Sequence, residues 1–312
     1  MTAARPKLRG VGLMLFCAVL WSLAGLFIKL VPWHPAVLAG WRAFAAAVTL
    51  LIFMRFSGFR PRLTRRVAVI GAFVCLTSFG FIAANKLTTS ANAIVLQYTS
   101  PIFLLALSAL FLKKRFRTAD YAATALTVAA IALFFFDELS PGNMLGNAFA
   151  IFDGLAFGCV YLLTGESDMQ SRLSGVFWGN VFTAAIGIPL TAVFGIELSA
   201  ASAGFAAILG VFTLAAPYIL YSHALSVCRP LECALTGAFE IPLNPLWVWL
   251  FIGEAPGAWA AAGSALLFIT VSIYTCYNAL RPYIGGRVSR DRVGSGGKAE
   301  KGRGSVSSEI PN

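Results

Sequence analysis

Four ionisable side chains interrupt otherwise apolar stretches of this 312-residue chain: Arg42, Asp153, His223 and Glu240. A charge inside a hydrophobic segment is costly unless it is paired, hydrated or put to use. Glu240 stands two residues before Pro242, in a segment that runs on to Asn244 and Pro245. A carboxylate at such a break can bind a substrate ammonium or carry a proton, and it can equally be half of a structural pair. Asp153 immediately precedes Gly154-xxx-Gly158, a spacing that lets two helices approach closely. A helix contact, a pairing with Arg42 and a substrate contact all fit Asp153. Arg42 reads first as a structural cation that caps carbonyls or pairs with an acid. His223 has a side chain able to titrate near neutral pH, set against the plainer reading of a hydrogen-bonded scaffold residue.

The uncharged candidates centre on the stretch from Ala91 to Phe116. Gln97 and Ser100 lie three residues apart, which on a continuous helix puts them on one face. Pro101 frees a backbone carbonyl beside them. Such a face can hold the charged ends of an amino acid by hydrogen bonds, without a full counter-charge. Ordinary aromatics in a membrane protein face lipid or sit in the interfacial belt, which suits Trp33, Trp178 and Trp259 but not the mid-span Trp21. The expected binding set is Trp21, Ser78, Gln97, Tyr98, Ser100, Phe157, Tyr161, Tyr218, Tyr221, His223, Glu240 and Asn244.

The elements that must position these groups follow from composition. The chain is 58% apolar and 12% charged, against about 25% charged in soluble domains, so it reads as an all-α, polytopic membrane protein. Ten apolar segments are each about long enough to span a bilayer: 10–30, 35–54, 67–85, 93–112, 119–136, 144–163, 175–194, 203–224, 231–252 and 257–280. The net charge of +11 is no sign of nucleic acid, because the basic residues cluster in alternate connections and the tail. Arg5, Lys7 and Arg9 precede the first segment, Arg55 to Arg66 and Lys113 to Arg117 fill the second and fourth connections, and Arg172 and Arg229 mark the sixth and eighth. By the positive-inside rule both termini are cytoplasmic. The opening run resembles a signal peptide but continues past a plausible cleavage point and reads as a retained first helix. The tail 282–312, rich in Gly, Ser and basic residues, is expected to be disordered. The six cysteines are scattered without a CxxC pair and read as small packing residues.

The chain also repeats itself. Phe111-Leu112-Lys113-Lys114-Arg115-Phe116 aligns with Phe251-Ile252-Gly253-Glu254-Ala255-Pro256, Ser100-Pro101 with the Glu240–Pro242 region, and Ala18–Ser22 with Gly154–Gly158. Five spans per half is an odd number, so the second half must enter the membrane from the opposite face. Inverted repeats of this kind characterise secondary transporters, with the substrate site at the repeat interface near mid-membrane. The domain reading is a first repeat at 1–140, an inverted second repeat at 141–281 and the tail at 282–312. Symmetry then sets the fourth segment against the ninth and the first against the sixth, with Gln97 and Ser100 across a cavity from Glu240–Asn244, and Trp21 facing Phe157. The fifth and tenth segments, Ala-rich and without mid-span charge, belong at the periphery, bracing the bundle or forming a homodimer contact.

Ten spans in two repeats, together with Leu20-Trp21-Ser22, Trp41-Arg42-Ala43-Phe44, Leu87–Ala93 leading into Pro101-Ile102-Phe103, and the Phe111–Arg115 helix ending, resemble the EamA family of the drug/metabolite transporter superfamily. The resemblance covers residues 10 to 280 and implies export of amino acids or related metabolites across a bacterial inner membrane by alternating access. Within the family the chain is somewhat similar to aromatic amino acid exporters, but Ser100 and Phe157 stand where tryptophans would be expected. The second half departs as well, with Glu240, Pro242, Asn244 and Pro245 in place of one proline. No GxxxxGK[ST], HExxH or GxSxG motif and no metal-ligand cluster occurs, so no cofactor is expected and ATP-driven transport by this chain alone is excluded. The competing readings are an intramembrane enzyme acting on lipids and a passive pore. The expected partners are a small-molecule substrate and the lipid bilayer.

Overall fold

The computed structural model describes residues 4–138, 144–197, 199–252, 257–259 and 261–278. Helices account for nearly all of them. In chain order they are α1 (Ala4–Ser22), α2 (Ala24–Leu30), α3 (Pro35–Phe56), α4 (Arg65–Leu87), α5 (Ser90–Gln97), α6 (Ser100–Leu112), α7 (Thr118–Glu138), α8 (Met144–Gly165), α9 (Met169–Gly187), α10 (Thr191–Phe194), α11 (Ala200–Gly210), α12 (Ala216–Ala224), α13 (Pro230–Gly237) and α14 (Glu240–Ile252). A final helix, α15 (Ala261–Asn278), closes the described chain. Helix starts follow local chemistry. Thr64 accepts a hydrogen bond from the Val67 N–H, Thr89 from that of Asn92 and Asp168 from that of Ser171, each satisfying a donor that a helix start leaves free. The Ser171 hydroxyl and N–H hold the Asp168 carboxyl below its ordinary pKa.

Among the described residues, eight helices are long and apolar enough to cross a membrane: Pro6–Leu30, Pro35–Phe56, Arg65–Leu87, Asn92–Leu112, Met144–Gly165, Met169–Phe194, Ala200–Ala224 and Ala261–Asn278. This is a multi-pass membrane protein. Its outward faces carry Phe16, Ile52, Leu110, Phe111 and Ile273 in the open, as lipid contact requires. The expected fifth segment appears as α7, whose apolar part, Thr118–Leu133, is shorter. The expected ninth is divided between α13 and α14. The tail 282–312 and the 140/141 boundary lie outside the described residues.

Four departures from straight helices matter for the site. The first span is interrupted at Leu23, between α1 and α2. The stretch around Gln97 breaks between α5 and α6, where Tyr98 and Thr99 separate the two pieces and Pro101 follows in the first turn of α6. An equivalent break falls at Ala238 and Phe239, between α13 and α14. A π turn, Val211–Ala215, joins α11 to α12, ahead of Pro217, which has no N–H to give. Such turns are rare and concentrate at functional sites.

Packing pairs the halves in a reciprocal way. α4 lies against α8, as α1 lies against α12. α4 also meets α9, as α3 meets α11. The broken pair α5 and α6 packs on α8, as α13 and α14 pack on α1. Glycines set the closest approaches. A Cβ at Gly158 would meet the Ser100 carbonyl oxygen at 3.1 Å and the Phe103 Cβ at 2.9 Å, and one at Gly154 would strike the Gln97 carbonyl oxygen at 2.9 Å. The Gly154-xxx-Gly158 pattern therefore seats α8 on the break between α5 and α6. α3 and α9 cross with Gly40 on Gly187, where a Cβ on Gly187 would lie 2.6 Å from the Gly40 Cα.

Candidate functional site

The breaks, the π turn and the α1–α2 interruption surround a small cavity. Its walls are Trp21 and Ala24 from the first span, Arg42 from α3, Thr77, Ser78 and Phe81 from α4, and Gln97 from α5. Phe157 from α8, Thr213 and Leu214 from the π turn, Tyr218 from α12 and Glu240 from α14 complete it. Trp21 packs edge-on against both Phe157, at 5.7 Å between ring centroids, and Tyr218, at 6.0 Å. The free space is about 40 Å³. That is room for water, whereas ligand pockets run to about 300–1,000 Å³, so the space as it stands is too small for a metabolite.

The charges around this space lack normal partners. Arg42 is 3% exposed. One guanidinium nitrogen, Nη2, reaches the Ser78 hydroxyl at 3.4 Å and the group lies 5.9 Å from the centre of the Phe81 ring, while Nε has no hydrogen bond. Asp153 is fully buried on α8 with both carboxylate oxygens lacking a hydrogen bond, and Arg42 and Gln97 are its polar neighbours. Glu240 is 3% exposed and forms no ion pair among the described residues. Its Oε2 lies 2.7 Å from the Tyr98 hydroxyl, which also reaches the Gly237 carbonyl at 2.6 Å. A guanidinium and a carboxyl group on the wall of one cavity can receive a ligand that carries both signs itself, through charge-assisted hydrogen bonds.

The candidate residues divide by place. Trp21, Ser78, Gln97, Phe157, Tyr218 and Glu240 line the cavity, and Tyr98 stands behind Glu240. Tyr161 and Tyr221 lie deeper, packed ring to ring at 5.3 Å; with Met14 they close the bundle towards the end that holds Lys7 and Arg229. The Tyr221 hydroxyl is 2.6 Å from that of Thr164, and Arg172 fastens this floor by donating to the Thr164 carbonyl at 2.9 Å and the Ser222 carbonyl at 3.1 Å. Asn244 gives its amide nitrogen to the Ser22 carbonyl at 3.0 Å, satisfying the backbone where the first span is interrupted, and Trp247 holds the Ser22 side chain by donating to its hydroxyl at 2.7 Å. His223 is exposed on the outer face of α12, bonded to the Ile219 carbonyl at 2.8 Å.

Ser100 does not share the Gln97 face. Three-residue spacing aligns side chains only along a continuous helix, and α5 ends at Gln97 while α6 begins at Ser100. Ser100 is fully buried where α6 meets α8. The cavity charge that pattern reading assigned to scaffolding is Arg42; Trp41-Arg42 in an apolar run was the available signal, and nothing local distinguished a capping arginine from one facing a cavity.

Residues 8–136 match the EamA-like transporter family. A riboflavin transporter of Rhizobium johnstonii is 30% identical over 197 residues, covering 61% of this chain and 63% of its own length. The pseudopaline exporter CntI of Pseudomonas aeruginosa is 29% identical over 206 residues, covering 64% and 70%. An uncharacterized transporter of Archaeoglobus fulgidus is 25% identical over 265 residues, covering 85% and 95%. One solved crystal structure superposes with a TM-score of 0.68 at 18% identity over 88% of this chain and 99% of that one, which speaks to the fold. Residues 8–136 thus carry an EamA-like transporter family domain.

Proposed function

We propose that the chain exports amino acids or related small metabolites across a bacterial inner membrane as a secondary transporter working by alternating access. One observation carries the reading: Arg42 and Glu240 line one small central space, with Asp153 buried close to Arg42 and Gln97. An amino acid offers a carboxylate for Arg42 and an ammonium for the acidic side, with Gln97 between them and Trp21, Phe157 and Tyr218 around its side chain. The relatives named as transporters of riboflavin and pseudopaline support carriage of small polar metabolites.

The reading includes ten spans in two inverted five-helix repeats, with both termini cytoplasmic. The reciprocal packing of the halves supports it, as do the matched breaks at Tyr98-Thr99 and Ala238-Phe239. A homodimer through α7 and α15 is part of the same proposal, since both run along the outside of the bundle.

The decisive experiment is counter-exchange in proteoliposomes with a panel of labelled amino acids. A carrier gives saturable flux accelerated by substrate on the far side. Non-saturating flux identifies a pore, and chemically altered substrate an enzyme. Topology is tested separately: single cysteines placed at Arg62 and in the tail should label from the cytoplasmic side only, and one at Glu138 from outside only.

A further inference from the structure

Three oxygens meet where the two helix breaks touch: the Glu240 carboxyl, the Tyr98 hydroxyl and the Gly237 carbonyl. Tyr98 belongs to the break between α5 and α6, whereas Gly237 and Glu240 flank the break between α13 and α14. Its hydroxyl oxygen lies 2.6 Å from the Gly237 oxygen and 2.7 Å from Oε2 of Glu240. Oxygens that close need a hydrogen between them. There are two such contacts, and a phenol supplies one hydrogen. A carbonyl supplies none. One phenol hydrogen forked between both acceptors would leave each bond weak, whereas a second hydrogen on Glu240 gives an ordered chain in which the Glu240 carboxyl donates to Tyr98 and Tyr98 donates to Gly237. With an ionised Glu240 and the phenol hydrogen not forked, one of the two contacts would set lone pair against lone pair.

The surroundings agree with a neutral carboxyl. Tyr98 and Glu240 are buried, and no cation forms an ion pair with Glu240 among the described residues. The titratable and charged groups around it are Tyr98, Cys17 on α1 and Asp153 on α8, with Arg42 on α3 and Tyr218 on α12 along the same cavity wall. Cys17 directs its thiol hydrogen to the Pro217 carbonyl, 3.3 Å away, not to Glu240.

We infer that Glu240 is a proton-binding site whose proton strengthens the junction of the two helix breaks in this arrangement. When the cavity opens to water, the O–H bond of Glu240 breaks and the proton leaves to solvent. The carboxylate remains, Tyr98 has one hydrogen for two acceptors, and one of the two bonds that join the breaks is lost, which loosens their junction. The freed carboxylate then faces the cavity as an anion. Export would thus exchange a bound proton for a substrate's positive end, a consequence that rests on the carrier reading, whereas the proton site itself rests on geometry alone.

Infrared spectroscopy of the purified full chain tests the proton site without any substrate. At neutral pH the wild type should show a carboxylic-acid C=O stretch that is lost in Glu240→Gln and retained in Asp153→Asn. In Tyr98→Phe the same band should persist but shift, because its hydrogen-bond acceptor is gone. Glutamine can donate an N–H to Tyr98 in place of the carboxyl O–H, so Glu240→Gln keeps the contact and is expected to fold; the amide band envelope in the same spectra checks this. Identical carboxylic-acid bands in wild type and Glu240→Gln, or a Glu240 band unmoved by Tyr98→Phe, would overturn the proton site. Should the amino acid panel show no flux, the carrier reading fails while the spectra still decide the proton.

Discussion

Two groups of buried charge occupy different levels of this bundle and are built by opposite rules. At the end that holds Lys7, Asp120 accepts a two-pronged bond from Arg229 at 2.8 and 3.0 Å, another from the Tyr274 hydroxyl at 2.8 Å and a fourth from the Arg117 N–H at 3.0 Å. Glu232 takes the Arg229 Nε at 2.9 Å, the Arg229 N–H at 3.1 Å and Lys7 at 3.1 Å. Nearly every lone pair is used, and the cluster ties together the starts of α1, α7 and α13 and the body of α15. In the centre, the Arg42 Nε and both Asp153 oxygens make no close hydrogen bond, although Arg42 and Gln97 are the polar neighbours of Asp153. Burial alone does not separate scaffold from site here. The state of the hydrogen bonds does: a saturated cluster holds helices together, and an unsaturated one is poised for something that arrives.

That contrast can be broken by mutation, beginning with the saturated cluster. Arg229→Ala leaves Asp120, 1% exposed, without its cation. Removing one member of a buried pair costs about 3 kcal/mol or more, read as a lower thermal midpoint in detergent, while flux per folded molecule stays at the wild-type level. A variant that melts like wild type but transports poorly would reverse the assignment.

Arg42→Ala should behave in the opposite way. It removes a buried cation that lacks full pairing, so the thermal midpoint should hold or rise. Flux should fall ten- to a hundred-fold, equivalent to about 1.5–3 kcal/mol for a lost charged hydrogen bond. Wild-type flux from well-folded Arg42→Ala would remove the arginine from the site. Gln97→Ala belongs in the same assay, with a loss no larger.

Gly158→Val tests the seat beneath both groups. The added methyls would press on Phe103 and the Ser100 carbonyl, and overpacking of this kind costs about 1–3 kcal/mol. The expected result is a lower midpoint, with flux falling only as far as the folded fraction does. An unchanged midpoint would mean that α8 can back away from the break at no cost.

The smallest effect belongs to Tyr274→Phe. Asp120 keeps Arg229 and the Arg117 N–H, so a single lost bond should cost about 0.5–1.5 kcal/mol. A larger drop in the midpoint would show that the cluster acts as a cooperative network.

Much of this architecture was legible in the sequence. Hydrophobic runs of spanning length located the helices, and Pro101 marked the first break; the second, expected at Pro242–Pro245, falls instead at Ala238 and Phe239, ahead of an α14 that runs unbroken through both prolines. Reading the two halves as a repeat put Gln97 near Glu240 and Trp21 on Phe157, and the structure has both pairs together; local patterns alone had no means of pairing them. Other features left no such trace. The interruption at Leu23 has neither proline nor glycine at the break itself, and it is sustained by Asn244 and Trp247 from more than 200 residues away. Arg172 and Arg229 counted only as loop charges, yet each reaches back to bond groups on other helices. Charge statistics report on which side of a membrane a residue sits and say nothing of what it touches. Ser100 failed for a local reason: spacing rules assume an unbroken helix, and the break fell between the two residues being compared.

The crossing of α3 and α9 has a mechanical consequence. Where helices interlock through side chains, sliding one along the other forces rotamers to change, like teeth skipping in a gear. Gly40 and Gly187 meet backbone to backbone, with no teeth at the point of contact. Small displacements there require no side chain to be re-seated, so the joint resists separation without resisting slip. An added methyl at either position would act as a brake as much as a wedge.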